Sequence, residues 1–292
     1  MASETSQLAT ETAEDWDLVI KPKANLFDLN LKEVWKYRDL LWLFVKRDFI
    51  AQYKQTILGP LWHLIQPVFT TIMFLLVFGK IANIPTDGVN PVLFYMSGIT
   101  IWTYFSSCLN STSSTFVANA GIFGKVYFPR LVIPLSSVMS NIVKFGIQFL
   151  LLLAMMVFYS FKGFPIDFGI AWLWIPVLLI MMAGLGLGLG IIISSLTTKY
   201  RDLTVLIGFA VQLLMYVTPI VYPLSFIKNK SYGKIIEWNP LTPIVECWKY
   251  ALFGKGSFDI GGLLYSTGFI IVVLFFGLLI FSKVEKTFMD TV

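Results

Sequence analysis

The chain has 292 residues, of which 57% are hydrophobic and only 13% are charged. A water-soluble domain carries about a quarter charged residues, so a soluble core is excluded. The single histidine, His63, rules out chemistry built on histidine pairs, and Cys108 and Cys247 suggest neither a disulfide framework nor a metal site. The net charge of +5 comes from bases flanking apolar stretches and is no sign of nucleic-acid binding.

Residues 1–30 read as a polar arm. Glu4, Glu11, Glu14, Asp15 and Asp17 occur there before any base, the reverse of a secretory signal peptide. Residues 31–59 follow as a helix rich in Trp, Phe and Leu with scattered bases. Lys46, Arg47 and Asp48 argue against a span, so the helix is expected to lie at the interface, its bases facing the anionic inner leaflet.

Beyond it, charge vanishes over long intervals: Lys54 to Lys80, Asp87 to Lys125, Asp167 to Lys199, Asp202 to Lys228 and Asp259 to Lys283. Leu131 to Phe161 is broken only by Lys144. Each interval is long enough for the roughly 20 residues a helix needs to cross a bilayer. The expectation is an all-α integral membrane protein with six transmembrane helices, at 61–81, 91–118, 131–161, 172–197, 203–223 and 261–282. Residues 60–285 then form the permeation domain and 286–292 a cytoplasmic tail. Lysines and arginines concentrate in the segments that lie inside if the N-terminus is inside, which places both termini in the cytoplasm. Lys228, Lys230, Lys234, Lys249 and Lys255, in the last outer segment, run against that bias.

That outer segment, Val217 to Gly254, is apolar but interrupted by Pro219, Pro223, Pro240 and Pro243. Asn239-Pro240 reads as a helix start, with the proline at the first helical position. The helix that follows is too short to cross. Re-entrant helices before the last span and a surface loop with an interfacial helix both fit.

The stretch GIFGKVYFPR, Gly121 to Arg130, holds a Gly-Lys pair but no phosphate loop. Gly121 and Gly124 are too close together, and Val126 stands where Ser or Thr must follow Lys125. It reads as a short inner loop whose Lys125, Tyr127, Phe128 and Arg130 are either partner anchors or membrane-edge residues. The inner turn Thr197 to Leu203 carries Lys199, Tyr200, Arg201 and Asp202.

Thr103, Ser107, Asn110, Ser111 and Ser114 fall on one helical face, as a wet path or a helix–helix contact requires. Trp62, Phe69 and Trp102 are among the aromatics crowding the first two spans; they are belt residues or flat faces for sugar rings. Gly184/Gly188 and Gly186/Gly190 form two overlapping close-packing motifs. Lys144 is an ionisable group in mid-span and His63 lies near the start of one. No carboxylate falls within the spans, which removes a carboxylate proton relay.

VKRDFIAQYKQTILGPLWHLIQP, NAGIFGKVYFPRLVIPLSSV, LTTKYRDL and WNPLTPIVECWKYALFG occur in that order. Together they resemble the membrane subunit of ABC-type polysaccharide exporters, over about residues 31–285. The resemblance implies a homodimer of this chain working with two copies of a cytosolic ABC ATPase, and a lipid-linked glycan such as O-antigen, capsule or teichoic acid as substrate. It implies a multi-pass protein of the bacterial inner membrane with no catalytic residue, no metal and no cofactor of its own, ATP and Mg being held by the partner subunit. Lys125, Tyr127, Phe128, Arg130, Lys46, Arg47, Tyr200 and Arg201 become the expected coupling residues. Trp62, Phe69, Trp102, Thr103, Ser107, Asn110 and Ser111 become the expected substrate path. A stand-alone secondary transporter or channel is the competing reading, though no internal repeat supports it. A membrane transferase is disfavoured by the single histidine and the scarcity of acids near the spans.

Overall fold

The computed structural model describes residues 31–291 except 55, 165–168, 201, 229, 231 and 232. The expected arm at 1–30 and Arg201 lie outside the described residues. Twelve α-helices are present among those described. They are α1 (Leu31–Lys36), α2 (Arg38–Tyr53), α3 (Trp62–Phe74), α4 (Pro91–Ser113), α5 (Thr115–Phe123), α6 (Val132–Phe161), α7 (Ile175–Thr197), α8 (Leu203–Val217), α9 (Leu224–Ile227), α10 (Gly233–Glu237), α11 (Leu241–Phe253) and α12 (Ile260–Thr291).

The helix expected over 31–59 is interrupted at Tyr37 and ends at Tyr53. α3 is prolonged at both ends, by a 3₁₀ turn at Gly59–Leu61 and a π-helical turn at Leu75–Ile81. α4 starts where Asn90 accepts the Val92 N–H at 3.0 Å and Pro91 takes the first helical position. It stops short of the expected 118. Ser113, Ser114 and Thr115 turn their hydroxyls back onto carbonyls three or four residues earlier, a pattern that bends helices. Ser114 (φ −95°, ψ 4°) then redirects the chain into α5.

Five helical runs are long and apolar enough to cross a membrane: Gly59–Ile81, Pro91–Ser113, Val132–Phe161, Ile170–Thr197 and Ile260–Glu285. The remaining expected span, 203–223, is a shorter helix. α8 closes at Val217, where Thr218 turns extended (φ −109°, ψ 141°). Pro219 disfavours helix at the residue before it. At 1.5 Å per residue α8 covers about 22 Å, against about 30 Å of hydrocarbon.

α7 lies between α4 and α12, and α4 packs also on α6 and α3. The overlapping glycine motifs explain this arrangement. A Cβ at Gly184 or Gly188 would meet Ile270 or Val273 of α12 at 3.0 and 2.9 Å. At Gly186 and Gly190 it would meet Cys108 and Thr112 of α4 at 2.9 and 2.5 Å. One helix thus presents two glycine faces to two neighbours.

Much of the described part of residues 217–254 is packed against the bundle. Ile220, Val221, Ile244, Val245, Cys247 and Trp248 are buried, and α11 packs on α4, α7 and α12. Cys247 is a core residue of α11.

Candidate functional site

One end of the molecule gathers α2, α5, the loop to α6, the α7–α8 turn and the end of α12. Ser194 of α7 accepts the Phe116 N–H at 3.3 Å, and Thr197 donates to the Ser113 carbonyl at 3.3 Å. The end of α7 is thereby docked on the start of α5. Aromatic rings link the other elements. Phe44 of α2 meets Phe128 at 5.7 Å, and Phe128 meets Phe123 at 5.9 Å. Phe123 lies 6.0 Å from Phe116, which stacks on Phe281 of α12 at 4.6 Å. Sequence reasoning missed this column because its members lie far apart in the chain and aromatics are common throughout it.

The expected coupling residues divide accordingly. Lys125 and Tyr127 are exposed at the loop tip, Tyr127 by 54%. Phe128 points inward and joins the column. Arg130 is half-buried: its guanidinium donates to the Glu285 carbonyl and lies over the Phe123 ring at 5.4 Å. Burial pulls its pKa down, with Glu285 opposing. Arg130 therefore ties the loop to the end of α12. Tyr200 is exposed, with the Lys199 amine 5.4 Å from its ring centroid. Lys46 is exposed on α2, whereas Arg47 bonds Asp48 at 2.8 and 2.9 Å and lies over Phe44.

The expected path residues are brought together only in part. Thr103, Ser107 and Ser111 are half-buried on α4 and Asn110 is exposed. Asn141 of α6 donates to Ser111 at 3.0 Å. Trp62 and Phe69 stand exposed on the run containing α3, while Trp102 is turned into the core against Phe105. The polar stripe thus has one open side.

The opposite end is a cap built on a buried ion pair. Lys249 is 4% exposed. Its amine donates to the Pro219 carbonyl at 2.5 Å and the Tyr222 carbonyl at 3.4 Å, and lies 3.8 Å from Glu246 and 4.0 Å from the Phe94 ring centroid. Burial lowers the amine to about 8, with Glu246 and Asp87 opposing. Burial raises the Glu246 carboxyl, with Lys249 opposing. Trp248 donates to the Ser97 carbonyl at 3.1 Å. Asn239 accepts the Leu241 N–H at 3.0 Å, with the helix starting one residue later than the Asn-Pro signature places it, and donates to Thr218 at 3.0 Å. α11 thereby clamps the α8–α9 connection onto α4.

These features define a helical, membrane-spanning protein with aromatic and basic side chains exposed at one end and a closed cap at the other. The family model of the ABC-2 type transporter matches residues 39–253, and the chain belongs to that family. The chain is 32% identical to the O-antigen export system permease protein RfbA of Klebsiella pneumoniae over 255 residues, 86% of this chain and 94% of that protein. An RfbA of Myxococcus xanthus with the same description is 25% identical over 265 residues, 90% and 98% of the two chains. The polysialic acid transport protein KpsM of Escherichia coli is 24% identical over 249 residues, 84% and 93% of the two chains.

Proposed function

We propose that this chain is the permease subunit of an ATP-driven exporter that moves lipid-linked polysaccharide, of O-antigen type, across the bacterial inner membrane. The carrying observation is the near full-length match to permeases named for O-antigen and polysialic acid export. The chain has no phosphate loop, so energy comes from a separate ATPase that holds ATP and Mg. A path wide enough for a glycan exceeds what one copy encloses, which favours a homodimer with two ATPase subunits.

Six crossings with both termini in the cytoplasm complete the reading. α8 starts beside the end of α7 and finishes where Thr218 bonds Asn239 of the cap. Residues 218–223, which follow in turns and bends, would carry the chain over the distance that α8 lacks. Residues 224–253 would then form re-entrant helices at the outer exit. Lys125, Tyr127, Lys46 and Tyr200 would meet the ATPase directly. Phe128, Arg130 and Arg47 would relay its movement to α2 and α12.

A mild-detergent pull-down from the native host tests this. A stoichiometric P-loop ATPase is expected, together with ATP hydrolysis. A clean homo-oligomer without ATPase would sink the reading. Tyr127→Ala is the cleaner probe of coupling: the expected result is wild-type membrane level and thermal stability with loss of export. Arg130→Glu also breaks the tether to α12 and so loses stability as well. Normal export by Tyr127→Ala would remove the coupling assignment.

A further inference from the structure

Unusual backbone is concentrated where α3 leads into α4. The α3 run ends in the π-helical turn Leu75–Ile81, where the Ala82 N–H donates to the Val77 carbonyl, five residues back, at 2.9 Å. The Ile84 N–H reaches the Phe78 carbonyl, six residues back, at 2.9 Å. Such turns hold one residue more than an α turn and recur at functional sites. Asn83 and Asp87 follow at φ 48° and 49°, the left-handed region that residues with a side chain seldom adopt. Tyr95 of α4 is fully buried against the same turn: a Cβ on Gly79 would stand 3.6 Å from its ring and 3.7 Å from its hydroxyl. That hydroxyl has no hydrogen-bond partner among the described residues. Strained backbone beside an orphaned buried donor points to a segment with a second arrangement.

The turn is connected to the cap. Between it and α4 the chain closes on itself: the Val89 N–H donates to the Thr86 carbonyl at 3.0 Å, and the Thr86 hydroxyl donates to the Val89 carbonyl at 2.7 Å. This tight loop presents Asp87. The Ser225 hydroxyl of α9 donates to the Asp87 carboxylate, at 2.8 and 2.9 Å from its two oxygens. Asp87 also acts electrostatically on the buried Glu246–Lys249 pair, and Lys249 holds the connection to α9 through the Pro219 and Tyr222 carbonyls. A closed loop therefore joins a largely exposed helix end to a firmly clamped cap.

We propose that the π-helical turn of α3 is a hinge, and that Asp87 and Ser225 form the latch through which it moves the cap. This rests on the export reading above, because the motion belongs to the transport cycle. Releasing the extra residue into the α register turns the chain beyond it by about 100°, the angle of one residue at 3.6 per turn. That rotation carries Asp87 off Ser225. It also reorders the carbonyls around Gly79, so that one of them accepts the Tyr95 hydroxyl. The structure holds the state with the latch closed and the hydroxyl unpaired; the second state opens the latch and pairs the hydroxyl. Each state thus has a contact that the other lacks, as a two-state element requires.

The test uses the full permease with its ATPase, in nanodiscs for stability, ATP hydrolysis and hydrogen exchange, and in the native host for surface glycan. Tyr95→Phe removes a hydroxyl that bonds nothing in the closed state. It is expected to keep or raise thermal stability while export falls about fivefold, the worth of one hydrogen bond made only in the second state. A tyrosine that merely fills space gives the same stability with unchanged export. Ser225→Ala opens the latch and should lower surface glycan with ATP hydrolysis retained, and Ser225→Thr, which keeps the hydroxyl, should restore it. Amide exchange over residues 75–90 should rise when wild type is trapped with Mg-ATP and vanadate, and should rise less in Tyr95→Phe. Unchanged export by Tyr95→Phe overturns the hinge, and unchanged export by Ser225→Ala overturns the latch. Exchange over 75–90 that ignores trapping in wild type overturns both. The export reading is scored separately, by surface glycan in strains with and without the wild-type chain. Glycan lost without the chain but normal in both variants removes only the hinge and its latch.

Discussion

α4 and the run containing α3 are neighbours of equal length, both apolar enough to cross a membrane. In the most apolar stretch of each, 78% of the residues are buried in α4 and 11% in the α3 run, although α4 has the lower mean hydropathy, 1.3 against 1.8. In lipid, hydrophobicity marks the face turned to hydrocarbon, and helices pack through small and hydroxylated residues instead. α4 obeys this. Its buried Ser97, Thr100 and Ser113 donate to carbonyls of their own helix, so burial leaves those hydroxyls satisfied. The α3 run carries Phe69, Ile72, Met73 and Leu76 outward, exposed among the described residues of one copy.

The largest effect is expected where α4 is most tightly held. Gly190→Leu would push a side chain into Thr112, whose Cβ already lies 2.5 Å from the position of a Cβ, and against the Leu109 carbonyl at 3.0 Å. Backbone atoms on the far side cannot yield, so the cost reaches the upper end of overpacking, about 3 kcal/mol or more. Loss of folded protein in detergent is the expected outcome. Gly208→Leu, where no atom outside its own helix lies within 4 Å, is the control and should accumulate normally. Equal stability of the two variants would break the claim that α4 is the scaffold.

Next is the outer clamp on α4. Lys249→Met leaves the buried Glu246 carboxylate without its partner and frees the Pro219 and Tyr222 carbonyls. Removing one member of a buried pair costs about 3–5 kcal/mol. A lowered melting temperature is expected, and adding Glu246→Gln should recover part of it. A double variant as unstable as the single one would show that the carbonyl bonds, rather than the charge pair, carry the clamp.

These two sites differ in how far the sequence revealed them. Overlapping glycines at a spacing of four announce close helix packing, because only glycine lets backbones approach so nearly. They do not say which helix each pair meets. The Asn239-Pro240 start was equally legible, since it rests on adjacent residues. The Glu246–Lys249 pair was not, because its partners Pro219, Tyr222 and Phe94 come from distant segments. The same applies to Arg130, which reads as a free loop cation until α12 brings the Glu285 carbonyl to it. Charge-free length also overstated the helix within 203–223, because a proline placed within the apolar stretch ended it early.

The smallest effect on the single subunit should come from α3. Phe69 is 65% exposed, so Phe69→Ala removes almost no internal contact and should shift stability by no more than about 0.5 kcal/mol. Phe105→Ala in α4, where the ring is fully buried, should cost about 3–5 kcal/mol in the same detergent. If the outward face of α3 joins two copies, the ranking changes once assembly is measured. Phe69→Cys should then cross-link copies in membranes, and Phe69→Ala should raise the monomer fraction at unchanged subunit stability. A Phe69→Cys chain that never cross-links would leave that face to lipid and move the proposed glycan path away from α3, toward the open side of the α4 stripe at Asn110.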